Sequence, residues 1–379
     1  MGEIDDLLAF AAASRTPAGF GWLDAAGRLE ADRPPALWIT CRMTHVYAVA
    51  MRLDPQAPWG DLLDHGVTAL LDGPLHDTEH GGWYAAVGEE AKEAYAHAFV
   101  VLAGASATTA GHPRGRELLA EAIAVLRDRF WDGAAGMCVD SWNRDFSVCD
   151  PYRGLNANMH AVEALLAAED AGVEASWASS ASLRIAARVA DDLGPAHDWR
   201  LPEHFDEAWR PLPYFNRDHP ADPFRPYGVT VGHLFEWARL LAHRDVASAE
   251  PRFAAASRAL YDRARGSEGA DGVPGFPYTT DFEGAPIVRE RMHWVIAEAM
   301  AAATALGEDA DRERFAAFAA AHHRDPIGGS WWHELDTDLR PGGVLWPGKP
   351  DVYHALQALW LPQLWPCASF AGVRRPRRS

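Results

Sequence analysis

The sequence predicts an all-α protein, an (α/α)6 barrel (toroid) of about twelve helices with short β-like loops around a central pocket. Apolar residues recur at helical spacing in about twelve segments, many of them rich in Ala and Leu. Runs of alternating β-branched residues, which are typical of strands, are missing. Similar glycine-containing turns recur between pairs of these segments rather than within them. Six helical hairpins joined in this way favour a toroid.

The first predicted helix covers residues 3–14. The periodicity then predicts helices at residues 36–53, 59–72, 91–109, 114–130, 156–171, 177–193, 229–245, 250–265, 288–306, 308–323 and 351–363. If Pro350 occupies the first turn of the last helix, Asp351 and His354 share one face of it. We expect residues 1–366 to form a single catalytic barrel domain and residues 367–379 to form a flexible C-terminal tail.

The predicted turns combine a polar residue, glycine and an aromatic or apolar residue. Examples are the segments 79–84 (Glu-His-Gly-Gly-Trp-Tyr), 131–137 and 327–332 (Ile-Gly-Gly-Ser-Trp-Trp). Paired glycines before an aromatic residue indicate a tight turn into a short strand-like piece. In a toroid, such loops would wall one end of the pocket.

Charge and cysteine content exclude several classes of protein. Acidic residues outnumber basic ones by 53 to 35, a formal charge of −18, which disfavours nonspecific binding to nucleic acid or to an anionic membrane. The sole basic run, residues 374–378, reads as a solvated terminus. Four cysteines without C-x-x-C spacing favour reduced thiols. No leader-like segment and no apolar run of about 18 residues stands in the sequence, so we expect a cytoplasmic protein.

Polar residues stand among apolar neighbours near the starts of alternate predicted helices, where a toroid would aim them at its axis. They are Arg42, four residues after Trp38; Asn156, His160 and Glu163 at i, i+4 and i+7; His233 and Glu236 at i, i+3; Trp294 and Glu298 at i, i+4; and His354. A minority of the sixteen tryptophans, at loop and helix entrances, suits the apolar faces of sugar rings.

Other interpretations of these residues stay open. Polar pairs at helical spacing also occur on solvated faces, and buried His–Glu pairs are often purely structural. Imidazole and carboxylate groups suit divalent ions, but His-x-x-Glu alone is a weak motif and no compact ligand pattern accompanies it. We therefore expect no metal and no cofactor.

Several short segments stand in a characteristic order: Gly19–Leu23, Leu37–Thr40, Gly81–Tyr84, Asn156–Ala164 and Gly329–Trp332, followed by Tyr353-His354. This order resembles the N-acylglucosamine 2-epimerase superfamily, and within it the aldose–ketose isomerases. The resemblance covers nearly the whole chain. It implies an (α/α)6 barrel and metal-independent interconversion of an aldose and a ketose. It also implies that His354 and His233 form the proton-transfer pair. The sugar-site residues that it implies are Arg42, Tyr95, Asn156, His160, Arg225, Glu236 and Trp294.

The residue types suit this chemistry. Conversion of an aldose to a ketose needs a base for the C2 proton, an acid and a cation, and histidine titrates near neutrality. We assign His354 as the C2 base and His233 as ring opener and second acid, with the reverse assignment also open. A carboxylate three residues from His233, Glu236, is a candidate for orienting that ring. Arg42 keeps its charge and suits an enediolate oxygen.

The substrate prediction depends on His333. Sulfosugar isomerases of the superfamily carry Gln after the paired tryptophans, and this chain has His333 after Trp331 and Trp332. We therefore predict that mannose and fructose, and also lyxose and xylulose, are interconverted, with His333 among the sugar-binding residues. The alternatives are a sulfoquinovose isomerase, a sugar 2-epimerase, a sugar-binding module without turnover, and an (α/α)6 glycoside hydrolase using Glu298 and Glu163. The oligomeric state is open between monomer and homo-oligomer.

Overall fold

The structure is a computed structural model that describes residues 2–373. Its helices are α1 (Glu3–Ala11), α2 (Leu37–Leu53), α3 (Gly60–Asp72), α4 (Ala94–Thr109), α5 (Gly115–Val125), α6 (Leu155–Ala171), α7 (Ala175–Ala187), the one-turn α8 (Gly194–Ala196), α9 (Val231–Ser248), α10 (Pro251–Arg265), α11 (His293–Leu306), α12 (Asp309–Phe318) and α13 (Tyr353–Leu364). Three helices continue as π-helical turns, at Leu126–Phe130, Arg188–Leu193 and Ala319–His323. The predicted helices 114–130, 177–193 and 308–323 include these turns.

The strands are all two residues long. They are β1 (Arg15–Thr16), β2 (Gly19–Phe20), β3 (Lys92–Glu93), β4 (Trp131–Asp132), β5 (Met137–Cys138), β6 (Ser141–Trp142), β7 (Arg153–Gly154), β8 (His204–Phe205), β9 (Val229–Thr230), β10 (Thr279–Thr280), β11 (Arg291–Met292) and β12 (Glu334–Leu335). β1–β2, β3–β6, β4–β5, β9–β10 and β11–β12 pair antiparallel. The predicted loop at residues 131–137 contains β4 and leads into β5. After the paired glycines of the other two predicted loops, Trp83 and Trp331 form single β-bridges with His76 and Arg324.

The chain packs as two compact units. The first comprises residues 2–10, Asp24–Gly27 and Ala186–Pro366, and the second comprises Ala11–Leu23, Arg28–Ile185 and residues 367–373. In the second unit, α4 packs against α2, α5 and α6. In the first unit, α11 packs against α9, α12 and α13. The predicted single domain over residues 1–366 stays a prediction.

The central helices of each unit are buried on nearly all sides. Every residue of α2 from Leu37 to Ala50 is buried, and α11 is buried over most of its length. Helices α10 and α12 bury only one face. A helix that is apolar all round belongs in an interior, whereas an amphipathic helix covers it. This division is typical of helical hairpins in which one helix is central and the other covers it.

Backbone carbonyls from neighbouring loops replace side-chain caps at the starts of the central helices. The first N–H groups of α2, α4, α9 and α11 donate to the carbonyls of Ala85, Asp140, Tyr278 and His333, at 2.9, 2.8, 3.1 and 2.9 Å. Free N–H groups at a buried helix start must find acceptors. The short ladders supply them, and they also explain why α4 and α11 begin at residues 94 and 293 rather than at 91 and 288.

The two lysines of the chain brace two glycine-rich loops. Lys92 donates to Asp77 at 2.9 Å, and Lys349 donates to Asp325; both ammonium groups are fully buried. Each carboxylate also accepts N–H groups of its own loop. Separating the two partners of a buried ion pair would leave an uncompensated charge, which is strongly unfavourable. Each carboxylate therefore stays at its lysine, and the loop that carries the carboxylate is held in place with it.

The C-terminal region also differs from its prediction. The last helix begins at Tyr353 instead of residue 351, and Asp351 accepts a hydrogen bond from the Tyr353 N–H at 2.9 Å. Asp351 therefore holds the start of α13 instead of sharing a helical face with His354. The predicted tail is packed over residues 367–373, where Phe370 is buried and the Val373 carbonyl accepts from Arg52. Residues 374–379, with the basic run, lie outside the described residues. Within residues 2–373, no helix has the length and apolar content needed to cross a membrane.

Candidate active site

A buried imidazole–carboxylate pair joins α13 to α11. His354 Nδ1 lies 2.9 Å from Glu298 Oε1, and both side chains are almost fully buried. An ionised carboxylate only accepts hydrogen bonds, so Nδ1 carries the proton and donates it. The other ring nitrogen, Nε2, then has the lone pair. Burial raises the pKa of Glu298, but the Arg239 charge and the His354 hydrogen bond outweigh it and hold that pKa below its usual value.

His233 on α9 forms a second pair of the same kind. Its Nδ1 lies 2.9 Å from Glu203 Oε1, and Glu203 is 4% exposed. Glu203 lies one residue before strand β8. The sequence suggested Glu236 for orienting this ring, and the structure places Glu203 at Nδ1. His233 Nε2 therefore also has the lone pair in the neutral ring. A role of Glu236 at His233 stays a prediction.

Both imidazoles pack against the same tryptophan. The ring of Trp294 lies 5.2 Å from that of His233 and 5.7 Å from that of His354, measured between centroids. Trp294 and Glu298 are one turn apart on α11, as their spacing predicted, so one helix face positions both histidines. His233, Trp294, Glu298 and His354, with Glu203, are called the histidine cluster below.

A guanidinium lies behind the histidine cluster. Arg239 Nε donates to Glu298 Oε2 at 2.7 Å, and Arg239 Nη2 lies 3.2 Å from Glu298 Oε1 and 3.5 Å from Glu236 Oε1. Glu236, Glu298 and His354 each present a ligand atom within 4.8 Å of one another. This spacing is small enough for a divalent ion. Arg239 already supplies a positive charge to both carboxylates, which lowers their attraction for a second cation.

His333 stacks on His293 beside the histidine cluster. The two ring centroids are 3.7 Å apart with planes inclined by 19°, and the His293 and His354 centroids are 6.5 Å apart. His333 Nε2 lies 3.0 Å from the Asp351 carbonyl, which only accepts, so Nε2 carries the proton. Burial lowers the pKa of His333 to about 4 and that of His293 well below its usual value. Both rings are therefore neutral near pH 7.

A second polar group, the arginine cluster, lies in the other unit. It comprises Arg42 and Trp38 on α2, Tyr95 and Phe99 on α4, and His160 on α6. Arg42 Nη2 donates to the Tyr95 hydroxyl at 3.1 Å, and the guanidinium lies 4.9 Å from the Trp38 ring and 4.5 Å from the Phe99 ring. The His160 ring is 5.2 Å from that of Tyr95. The predicted residues Trp38, Arg42, Tyr95 and His160 are thus brought together.

Two other predicted residues, Asn156 and Arg225, lie on α6 and in a loop. Asn156 lies one helical turn before His160, and its side-chain oxygen is buried without a hydrogen-bond partner among the described residues. Such an oxygen is free to accept from a ligand hydroxyl. Arg225 lies in the loop before β9, where its N–H donates to Asp222 and its carbonyl accepts from Asn216. The sugar-binding roles of both residues stay predictions.

Sequence reasoning missed Glu203, Arg239 and His293. Glu203 lies 30 residues before His233, and no helical spacing links them. Arg239 carried a signal, because it lies three residues after Glu236 on the helix stripe that holds His233. His293 directly precedes Trp294, and only its contact with the distant His333 gives it a place beside the site.

Known proteins are similar to this chain over most of its length. The sequence profile of the N-acylglucosamine 2-epimerase (GlcNAc 2-epimerase) family matches residues 18–358. The chain is 48% identical to a D-mannose isomerase of Thermobifida fusca, with 98% of this chain and 95% of the relative covered. It is 42% identical to a D-mannose isomerase of Pseudomonas cannabina pv. alisalensis, with 97% and 92% covered.

The solved structures agree as well. A crystal structure of D-mannose isomerase superimposes on 95% of this chain with a TM-score of 0.87 and 25% identity, and 96% of that chain is covered. The predicted all-α class, of the (α/α)6 type, is confirmed. The resemblance inferred from the motifs is likewise confirmed: the chain belongs to the N-acylglucosamine 2-epimerase family.

Proposed function

We propose that this protein is an aldose–ketose isomerase that interconverts mannose and fructose. One observation carries the proposal: two imidazoles pack against Trp294, and each is held through Nδ1 by a buried carboxylate. In each neutral ring the lone pair therefore lies on Nε2, the nitrogen that can take up a proton. Relatives at 48% and 42% identity that carry the name D-mannose isomerase support the choice of substrate.

The reaction follows from this tautomer. His354 Nε2 takes the proton from C2 of the open-chain aldose, the C–H electrons form a C1–C2 double bond, and the carbonyl electrons move to O1. The same imidazolium then returns the proton to C1, the O2 proton is transferred to O1, and the O2–H electrons form the C2 carbonyl. Glu298 stabilises the imidazolium that exists between the two steps. His233 opens the sugar ring and serves as second acid.

Arg42 is proposed to bind the substrate oxygens that gain charge. A guanidinium cannot lose its proton near neutrality, and preorganised positive charge is often the largest contribution to enediolate stabilisation. The Tyr95 hydroxyl and the Trp38 and Phe99 rings fix its orientation. Asn156 and His160 are proposed to hold sugar hydroxyls, and Trp38 and Trp294 to contact apolar faces of the sugar.

The proposal includes a neutral monosaccharide as the partner and the cytoplasm as the location. The chain has four cysteines without C-x-x-C spacing, and the buried thiols Cys41 and Cys138 suit a reducing compartment. Neutral His333, with Nε2–H committed to Asp351, offers its remaining nitrogen as an acceptor for a hydroxyl and no charge for a sulfonate. Lyxose shares the C2 and C3 configuration of mannose and lacks only C6, so it is a proposed second substrate.

Product analysis tests the proposal. Mannose, glucose, lyxose and sulfoquinovose are incubated separately with the protein, and the products are identified by NMR. We expect fructose from mannose and xylulose from lyxose. The C2-inverted aldose as main product would indicate an epimerase, and sulfoquinovose as the preferred substrate would indicate a sulfosugar isomerase. Reducing ends released from disaccharides, without isomerisation, would indicate a glycoside hydrolase.

A further inference from the structure

Arg239 and the carboxylates around His354 form a nearly solvent-free charge network. Arg239, Glu236 and Glu298 are each 0–1% exposed. The guanidinium holds both oxygens of Glu298 and approaches Glu236, while Glu298 Oε1 also accepts from His354. Glu298 is therefore shared between a permanent cation and an imidazole that has to gain and lose a proton.

This sharing affects how strongly His354 binds a proton. A buried carboxylate 2.9 Å from an imidazole favours the protonated ring, and Glu236 adds a second carboxylate within 4.8 Å. A general base has to be neutral before it accepts a proton. A guanidinium bound to the carboxylate makes a neutral pair, which still accepts the Nδ1 hydrogen bond but attracts the second proton less strongly.

We propose that Arg239 is a positioning residue that sets the proton affinity of His354 through Glu298, keeping the ring neutral and in the Nδ1–H tautomer at neutral pH. This inference rests on the proposed role of His354 as the base. Arg239 acts through Glu298, and the substrate is not its partner. It also fixes the carboxylate in one plane, because the two contacts form a fork that a lysine lacks.

Three neighbouring groups, His293, His333 and Asp351, do not replace Arg239. His293 on α11 has its ring 6.5 Å away and is neutral, and neutral His333 lies beyond it. Asp351 precedes α13 and holds the Tyr353 N–H. Compared with these three groups, Arg239 is the one that carries a positive charge near neutrality.

The test is a titration of His354 itself. The imidazole pKa is measured by NMR on histidine-labelled protein, with the His354 resonance assigned by its loss in His354→Asn. We expect Arg239→Met to raise that pKa by about one pH unit or more. The acid limb of the pH profile of kcat/KM should move to higher pH by the same amount. Arg239→Lys should keep the limb within a few tenths of a unit but lower kcat. Arg252→Met, which breaks an exposed pair with Asp191 and Glu250, is the matched control and should change neither quantity.

A second comparison covers the case in which Arg239→Met does not fold. Arg239→Gln keeps amide donors for Glu298 but removes the positive charge, so the His354 pKa should again be about one unit higher than in the wild type. In a Glu298→Gln background, the same Arg239→Gln change should shift the His354 pKa by much less, because the carboxylate through which Arg239 acts is absent. A His354 pKa that stays at the wild-type value in both Arg239→Met and Arg239→Gln would overturn the role of Arg239. If the His354 pKa shifts but the acid limb of the kcat/KM profile does not move with it, His354 is not the base. That result would leave the role of Arg239 at His354 intact.

Discussion

His354 Nδ1 and Glu298 Oε1 lie 2.9 Å apart, and the same distance separates His233 Nδ1 from Glu203 Oε1. The matched geometry gives two imidazoles with the same tautomer, both packed against Trp294. A reaction that takes a proton at one carbon and returns it at the next needs groups of this kind. The two pairs differ in their surroundings, because Arg239 clamps Glu298.

Glu203→Gln should lower kcat by about tenfold or more, because the amide keeps a hydrogen-bond acceptor but loses the charge that stabilises a protonated His233. Steady-state kinetics with mannose measures it. Glu207→Gln, an exposed position in the same loop, is the control and should behave like the wild type. Wild-type kcat in Glu203→Gln would mean that this contact only supports the fold.

Chelation should leave the activity unchanged, because Arg239 already supplies a cation to Glu236 and Glu298. The measurement compares kcat before and after exhaustive dialysis against EDTA, with metal content checked by mass spectrometry. Loss of activity that one divalent ion restores would place a metal among Glu236, Glu298 and His354 and would contradict the metal-independent reaction.

Stability should fall as the pH drops from about 6.5 towards 4. Burial lowers the pKa of His97 to about 3 and those of His323 and His333 to about 4. The unfolded chain binds protons at these rings below pH 6.5 while the folded chain does not, so protons favour unfolding in that window. Each ring contributes about 1.4 kcal/mol per pH unit there.

Urea unfolding at pH 7, 6 and 5 measures this slope above the range in which carboxylates titrate. His323→Asn should reduce the pH dependence of the free energy of unfolding by about 1.4 kcal/mol per pH unit, because one titrating ring is removed. This change in slope is expected whatever the absolute stability of the variant. A free energy of unfolding that stays constant from pH 6.5 to 5 would show that these rings are protonated in the folded chain.

Mannose should be preferred over sulfoquinovose by at least tenfold in kcat/KM. A sulfonate is a permanent anion that needs cationic or multiple donor groups, whereas His333 is neutral and its Nε2–H is committed to the Asp351 carbonyl. His333→Gln, which adds an amide donor, should narrow the ratio. A sulfoquinovose value ten times that for mannose would mean that this reasoning about His333 is wrong.

Local patterns predicted most of the fold. Apolar periodicity located the helices to within a few residues, because each central helix is buried over a long stretch. It placed the starts of α4 and α11 too early, since ladder residues such as Lys92 and Arg291 precede them and their pairing partners lie 40–50 residues away. Periodicity carries no information on such distant pairs.

The site was predictable where its members share a helix. Trp294 and Glu298 stand one turn apart, and the sequence shows this spacing directly. Glu203 and the stacked His293 and His333 depend on the packing of loops against helices, which spacing does not encode. The contacts of Glu298 with His354 and Arg239 were not predicted either, because these partners come from two other helices.

Deuterium exchange in D2O, followed by NMR of mannose and fructose, tests proton transfer by His354 most directly. The wild type should place deuterium at C1 of fructose and at C2 of recovered mannose. His354→Asn should slow both incorporations by about 10² or more while circular dichroism and the melting temperature stay unchanged, because the acceptor is lost and the shape is kept. His322→Asn, on the partly exposed π-helical turn, is the control. Deuterium incorporation by His354→Asn at more than about a tenth of the wild-type rate would contradict His354 as the base.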